Sequence, residues 1–197
     1  MDADTSRHFV DTMREWLISL PHDLRILFEA ATDENLDRPL RELATGAIIY
    51  TVSPTDFISS DRNDFSSYAD DCLMVRMAMK RLAASKDEDV QQFCSRFDDF
   101  FGGLDEGLAQ CKAAMGDLYD WLDGLVDQLT KLEYKGKKVP AYLDDDELSE
   151  LLYEDGLAFG TEYPVTDVDL SDRFKKPSTV LEVLQRSKEE HDRKRAV

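Results

Sequence analysis

Apolar residues recur in alternating steps of three and four through the middle of this 197-residue chain, and this repeat constrains the fold more than any other feature. A heptad spacing of this kind predicts α-helix with one continuous apolar face. The residues of the repeat are Cys94, Phe97, Phe101, Leu104, Leu108, Cys111, Met115, Leu118, Leu122, Leu125, Leu129 and Leu132. One straight helix would span about 58 Å at ~1.5 Å per residue, against a diameter of roughly 40 Å for a compact chain of this length. Because Gly102-Gly103 is the obvious break, we predict two helices, over residues 87–101 and 104–132.

The apolar stripe of this repeat is wider than the seam of a coiled coil, because apolar residues also stand beside its core positions. These are Phe93, Phe100, Ala114 and Trp121. Such a stripe is typical of a globular helical bundle, so we predict an all-α fold that contains a long heptad-patterned helix pair. A homodimer formed through the stripe is the alternative. We assign residues 1–175 to one helical domain and residues 176–197 to a charged C-terminal helix or arm.

Helical spacing predicts three helices in the first 52 residues. The first covers residues 5–20 and ends at Pro21, because a proline inside a helix removes a backbone hydrogen bond. A short second helix covers residues 23–31. The third begins at Pro39, which suits the first helical turn, and runs to Val52.

Two capping signals follow this third helix. Ser53 and Ser67 each precede an acidic residue by three positions, Asp56 and Asp70. In a capping box the serine and the acid satisfy the first free N–H groups of a helix. Ser67 is therefore predicted to cap a helix that runs to about Ala84.

The heptad spacing stops after residue 132. Residues 133–143 contain a Lys-Gly-Lys-Lys turn, which predicts a small β-hairpin. The acidic residues 144–147 indicate the start of a short helix that Gly156 ends. Residues 160–172 are predicted to be irregular or weakly extended, and a last, charged helix begins near Thr179.

The chain carries a net charge of −18, and half of it lies in residues 87–133, where twelve acidic residues face three basic ones. This acidity disfavours direct nucleic-acid binding and attracts basic proteins, so a basic protein partner is expected. The alternative is a face that only contacts water. The candidate partner-binding residues lie off the apolar stripe; they are Asp98, Asp99, Asp105, Glu106, Asp117, Asp120, Asp123 and Asp127.

Residues 40–82 contain a recognisable series of short motifs: Arg41, Leu43-Ala-Thr-Gly-Ala-Ile-Ile-Tyr50, Ser53-Pro-Thr-Asp-Phe-Ile58 and Tyr68-Ala-Asp-Asp71. This series resembles the YkvA-like family of small bacterial domains of unknown function. The resemblance implies a helical hairpin and no particular reaction. Family members often look membrane-associated, which makes peripheral membrane contact through residues 44–58 an alternative function. The family's loop between the last two motifs is typically apolar, whereas residues 59–65 are polar here.

The carboxylates around this hairpin offer a second alternative, a divalent-metal-binding module or metal-dependent enzyme. Carboxylate oxygens are the ligands that Mg²⁺ and Ca²⁺ prefer, and no other cofactor is expected. The chain lacks the loop sequence of an EF-hand. The candidate ligands are Asp56, Asp61, Asp64, Asp70 and Asp71.

Other catalytic signals are weak. His8, His22 and His191 stand in no recognisable motif, and Gly102-Gly103 lacks the lysine of a phosphate-binding loop, so we favour binding over catalysis. The three cysteines do not have metal-ligand spacing and are predicted to be reduced and buried. Without a signal-peptide pattern or an apolar run of about 20 residues, we expect a cytoplasmic protein.

Overall fold

The computed structural model describes residues 1–53 and 64–195, and it confirms an all-α fold with one small hairpin. Two short 3-10 helices occupy Phe65–Tyr68 and Leu129–Lys131, and the antiparallel strands β1 (Glu133–Tyr134) and β2 (Lys137–Lys138) form the hairpin. Within the described ranges, none of the helices has the length and apolar character needed to cross a membrane. The α-helices are α1 (Ala3–Thr32), α2 (Arg38–Val52), α3 (Ala69–Ala83), α4 (Glu88–Arg96), α5 (Asp98–Phe101), α6 (Leu104–Met115), α7 (Asp117–Val126), α8 (Ala141–Asp144), α9 (Asp146–Glu162), α10 (Asp167–Arg173) and α11 (Ser178–Arg195).

Pro21 lies inside α1, so the prediction that it separates two helices is wrong. Proline has no N–H group, and at this position it leaves the carbonyl of Leu17 without its helical donor. The hydroxyl of Tyr163 donates a hydrogen bond to that carbonyl oxygen at 2.6 Å. Because Leu17 is fully buried, this bond satisfies a group that water cannot reach, and the helix continues.

The core lies where α1 packs on α2, α3 and α6. Every residue of α2 from Ala44 to Val52 is buried. Gly46 lets the second 3-10 helix lie close against α2, since a Cβ atom on Gly46 would lie 2.5 Å from the carbonyl oxygen of Leu129. The apolar part of α2 therefore belongs to the core, and residues 54–58 of the segment predicted for membrane contact lie outside the described ranges.

The heptad segment does not form the two long helices that its spacing predicts. It forms α4, α5, α6, α7 and the second 3-10 helix instead. The break at Gly102-Gly103 is confirmed, and two more occur at Phe97, where φ is −120° and ψ is 43°, and at Gly116, where φ is 55° and ψ is −128°. The breaks divide the apolar stripe among short helices, each of which buries its own apolar residues, such as Phe93, Leu108 and Leu122.

Ser67 does not cap α3, and that prediction is wrong. Its hydroxyl donates to the carbonyl oxygen of Asp64 at 2.6 Å, so it is used inside the preceding 3-10 turn. The Asp64 carboxylate caps this turn by accepting a hydrogen bond from the N–H of Ser66. α3 then begins at Ala69 without a side-chain cap. The capping box predicted from Ser53 extends into residues outside the described ranges.

The predicted hairpin is confirmed, with Glu133 opposite Lys138 in the ladder. Its two turn residues, Lys135 and Gly136, have φ values of 47° and 76°. Two successive positive φ values give the turn whose twist matches that of paired strands.

Two C-terminal predictions are wrong. α9 does not end at Gly156 but continues to Glu162. Gly156 instead leaves room for the ring of Phe28, since a Cβ atom at this position would lie 2.4 Å from that ring. The segment predicted to be irregular contains α10, which the Thr166 hydroxyl caps by accepting from the N–H of Asp169. The last helix, α11, is attached to the core through the fully buried Val180 and Leu184.

Candidate functional site

The eight carboxylates of the predicted acidic face all lie at the surface. Seven side chains are exposed and Asp123 is half-buried. They project from α5, α6, α7 and the residue that follows α7, while the apolar residues of the same helices, such as Leu108 and Leu122, are fully buried. We call these eight residues the acidic face.

Basic side chains of the protein itself contact part of the acidic face around Tyr119. The Nζ atom of Lys80 lies 2.8 Å from Asp105, and that of Lys112 lies 2.8 Å from Asp120. The Lys112 ammonium is also 5.4 Å from the centre of the Tyr119 ring. Burial raises the pKa of the Tyr119 hydroxyl to about 12, and the nearby negative charges act in the same direction. The tyrosine therefore stays neutral among these charges.

Arg81 contacts two further carboxylates of the acidic face. Its guanidinium lies 3.3 Å from Asp123 and forms an ion pair with Asp127, and it also donates to the backbone carbonyl of Asp123 at 2.6 Å. Because α3 carries Arg81, these contacts fix α7 against α3. Four carboxylates of the acidic face are thus matched by three internal cations.

The other half of the acidic face has no such compensation. Among the described residues, no basic side chain forms an ion pair with the carboxylates of this half. Their charge remains available to a partner in solution. We call them the uncompensated carboxylates: Asp98, Asp99, Glu106 and Asp117.

The candidate metal ligands occupy different environments. Asp56 and Asp61 lie outside the described residues. Asp64 is partly exposed and forms an ion pair with Arg173 at 2.9 Å. In the part of the chain that the structure describes, no three His, Cys, Asp or Glu side chains form a group that could hold a metal ion. The metal site stays a prediction.

Asp70 and Asp71, the other two candidate ligands, are almost fully buried in the first turn of α3. The hydroxyl of Tyr50 donates to Asp70 at 2.6 Å. This bond joins two of the motifs that resemble the YkvA-like family and ties α2 to α3. The hydrogen bond between Tyr50 and Asp70 therefore helps to hold the helical hairpin together.

A buried ion pair between α1 and α3 escaped the sequence analysis. The Nη2 and Nε atoms of Arg76 lie 2.7 Å and 3.0 Å from one carboxylate oxygen of Asp23. Ser19 joins the pair by donating to Asp23 and accepting from Arg76. The carbon of the guanidinium lies 4.0 Å from the ring centre of Phe100 and 5.2 Å from that of Trp16. One side chain thus connects α1, α3 and α5.

Burial raises the pKa of Asp23, while the charge of Arg76 and the hydrogen bonds from Arg76 and Ser19 oppose this rise. Only 1% of Asp23 and 6% of Arg76 is exposed, so neither can contact a ligand from solvent. We interpret the pair as structural. A sequence signal existed for Arg76 alone, which stands between Cys72 and Met79 of the predicted apolar stripe.

The cysteines do not form a nucleophilic site. Cys72 and Cys111 are buried, Cys94 is partly buried, and all three are free. Burial raises the pKa of each thiol, to about 12 for Cys111, so thiolate is scarce at neutral pH.

One lysine of the hairpin turn also forms an internal contact. The Nζ atom of Lys135 lies 2.6 Å from a carboxylate oxygen of Asp155. This contact connects the hairpin to α9.

Comparison with known proteins gives no match. No protein-family model matches the chain, and no curated protein or solved structure is significantly similar to it. The resemblance to the YkvA-like family therefore stays a prediction.

Proposed function

We propose that this is a non-enzymatic interaction or regulatory protein that binds a basic protein partner through its acidic face. The observation that supports this most is the division of that face. Its paired half holds α6 and α7 in place, and its uncompensated carboxylates are exposed without an internal cation. A surface with unpaired charge is suited to recognition by opposite charge.

The physical basis is electrostatic steering. A net charge of −18 draws cationic molecules toward the protein, and the uncompensated carboxylates offer direct contacts on arrival. Because such contacts are solvent-exposed, each is weak and is screened by salt. Binding should therefore depend on several carboxylates together and weaken strongly as salt rises.

The test uses a short fluorescent oligolysine peptide and fluorescence anisotropy. A variant with Asp98→Asn, Asp99→Asn, Glu106→Gln and Asp117→Asn should bind the peptide roughly tenfold or more weakly than the natural protein at low salt. The natural protein should lose most of its affinity at high salt, because screening removes the attraction.

A control variant separates the acidic face from overall charge. It changes Glu162→Gln, Asp167→Asn, Asp172→Asn and Glu190→Gln, four exposed acids elsewhere, and has the same net charge as the first variant. Its affinity should stay within about twofold of the natural protein. Equal loss of affinity in both variants, or binding that salt does not weaken, would show that the acidic face is not the docking surface.

A further inference from the structure

An apolar groove of about 660 Å³ runs along the surface between α1 and α9. Five large apolar side chains are exposed in the described part of the chain, and three of them line this groove. They are Ile18, Tyr153 and Leu157, with exposed fractions of 44%, 50% and 48%. An exposed cluster of this kind is typical of an interaction surface.

Two glycines of α9 face α1 beside the groove. Gly156 packs against the ring of Phe28, and a Cβ atom on Gly160 would lie 3.9 Å from Pro21. The two helices therefore run antiparallel and lie close together here. The rings of Phe28 and Tyr153 meet edge to face at 5.3 Å and fix one wall.

Charge is distributed unevenly along the groove. At one end it adjoins a second cavity that is lined by Glu29, Asp146 and Glu150. None of these three carboxylates forms an ion pair with another described residue. His22 and Arg25 lie toward the other end. The acidic end is thus complementary to a cationic segment.

We propose that the α1–α9 groove binds an amphipathic helix of another protein, with apolar side chains on the groove and Lys or Arg residues at its acidic end. From Ile18 to Thr32, α1 offers a wall of about 21 Å, or roughly four helical turns. Tyr153 and Leu157 stand four residues apart and form the apolar anchor points. A second copy of this chain is a poorer occupant, because it carries the same net charge of −18. This surface is separate from the acidic face and extends beyond the function proposed above.

The test compares two short fluorescent peptides of identical leucine and lysine content. In one, the leucines share a single face of a helix; in the other, they are spread over all faces. The natural protein should bind the patterned peptide at least about tenfold more tightly. The double change Tyr153→Ala and Leu157→Ala should remove at least about tenfold of that affinity, because it deletes the anchors. Glu29→Gln with Glu150→Gln should cause a loss of about threefold.

Three controls decide the outcome. Val168→Ala removes an apolar side chain that is 72% exposed outside the groove and should leave binding unchanged. The acidic-face variant should bind the patterned peptide within about twofold of the natural protein, which separates the two surfaces. Thermal unfolding by circular dichroism checks that each variant is folded.

Equal affinity for both peptides, or no effect of the double change in a folded variant, would overturn the proposal. So would a loss in the acidic-face variant as large as in the groove variant, which would mean general attraction. Sedimentation that shows a dimer of the natural protein, and a monomer of the double variant, would assign the groove to a second copy and overturn the proposed partner.

Discussion

Two helical regions differ in how far they run without a break: α1 is continuous, whereas the segment from α4 to α7 is divided into short helices. α1 runs unbroken for 30 residues although Pro21 stands inside it. The second segment contains no proline, yet it breaks at Phe97, at Gly102-Gly103 and at Gly116. Local breakers alone therefore do not decide where a helix ends in this protein.

The difference lies in what the surrounding structure supplies. In α1, Tyr163 provides the donor that proline removes, so continuity does not leave a buried carbonyl unsatisfied. In the other segment, the chain breaks between short helices, and their apolar side chains, such as Phe93, Phe100 and Leu122, are buried. Whether a helix continues in this protein therefore depends on two conditions together: its backbone hydrogen bonds are satisfied and its apolar side chains are buried.

Arg76 offers the largest test of this comparison, because it connects both regions. Replacing it by methionine leaves Asp23 buried without its cation, and we expect the free energy of unfolding at neutral pH to fall by about 3–5 kcal/mol. Denaturant unfolding monitored by circular dichroism measures this. The double change Asp23→Asn with Arg76→Met should be less destabilised than Arg76→Met alone. If it is not, the pairing is not what stabilises the contact.

The same variant has a defined pH dependence. Burial raises the pKa of Asp23 above its ordinary value of 3.8, so the folded protein holds this proton more tightly than the unfolded chain. Protonated Asp23 therefore contributes to the free energy of unfolding. This contribution is fully present below about pH 3.8 and is lost as pH rises through the pKa that Asp23 has in the folded protein. Removing Arg76 raises the pKa of Asp23 in the folded protein further, because the positive charge that lowers this pKa is gone. The deficit of the Arg76→Met variant should therefore shrink on acidification.

The Tyr163 hydroxyl gives the second test. Tyr163→Phe removes the donor to Leu17 and should lower the free energy of unfolding by about 1–3 kcal/mol, because a buried carbonyl becomes unsatisfied. In a Pro21→Ala background the new N–H of residue 21 can take its place, so the same change should have a much smaller effect. Additive effects in this double-mutant cycle would mean that the hydroxyl does not compensate for the proline.

Two glycines of the broken segment give the smallest effects, with opposite signs. Gly116→Ala forces a side chain into a backbone conformation with φ of 55°, and should destabilise the protein by about 1–2 kcal/mol. Gly124→Ala lies inside α7 in open space and should stabilise it by up to about 1 kcal/mol. Thermal melts compare them. A stabilising Gly116→Ala would indicate that the segment prefers one continuous helix.

Sequence periodicity predicted much of the fold, because burial depends on which residues share a face. It predicted α2, α3 and the acidic side of α6 and α7, whereas the hairpin was predicted from its turn residues. It could not place breaks such as Phe97, since nothing in the local sequence marks that residue as a terminator. It also misread Gly156, because a glycine that ends a helix and a glycine that accommodates Phe28 look alike in one dimension.

The positions of the acidic-face residues could be predicted from the sequence, but the ion pairs that they form could not. Spacing placed Asp105 and Asp120 on one side of their helices, whereas their partners Lys80 and Lys112 became evident only in three dimensions. Lys80 comes from α3, which the spacing of α6 does not reveal. The α1–α9 groove is harder still, since it combines residues more than a hundred positions apart.

The bond between Tyr163 and Leu17 has a consequence for the order in which the protein is made. Its two ends are separated by 146 residues. During synthesis, the 146 residues that follow Leu17 must be made before α1 can obtain its missing donor. This helix therefore reaches its final hydrogen bonding only after most of the helices described here have been synthesised.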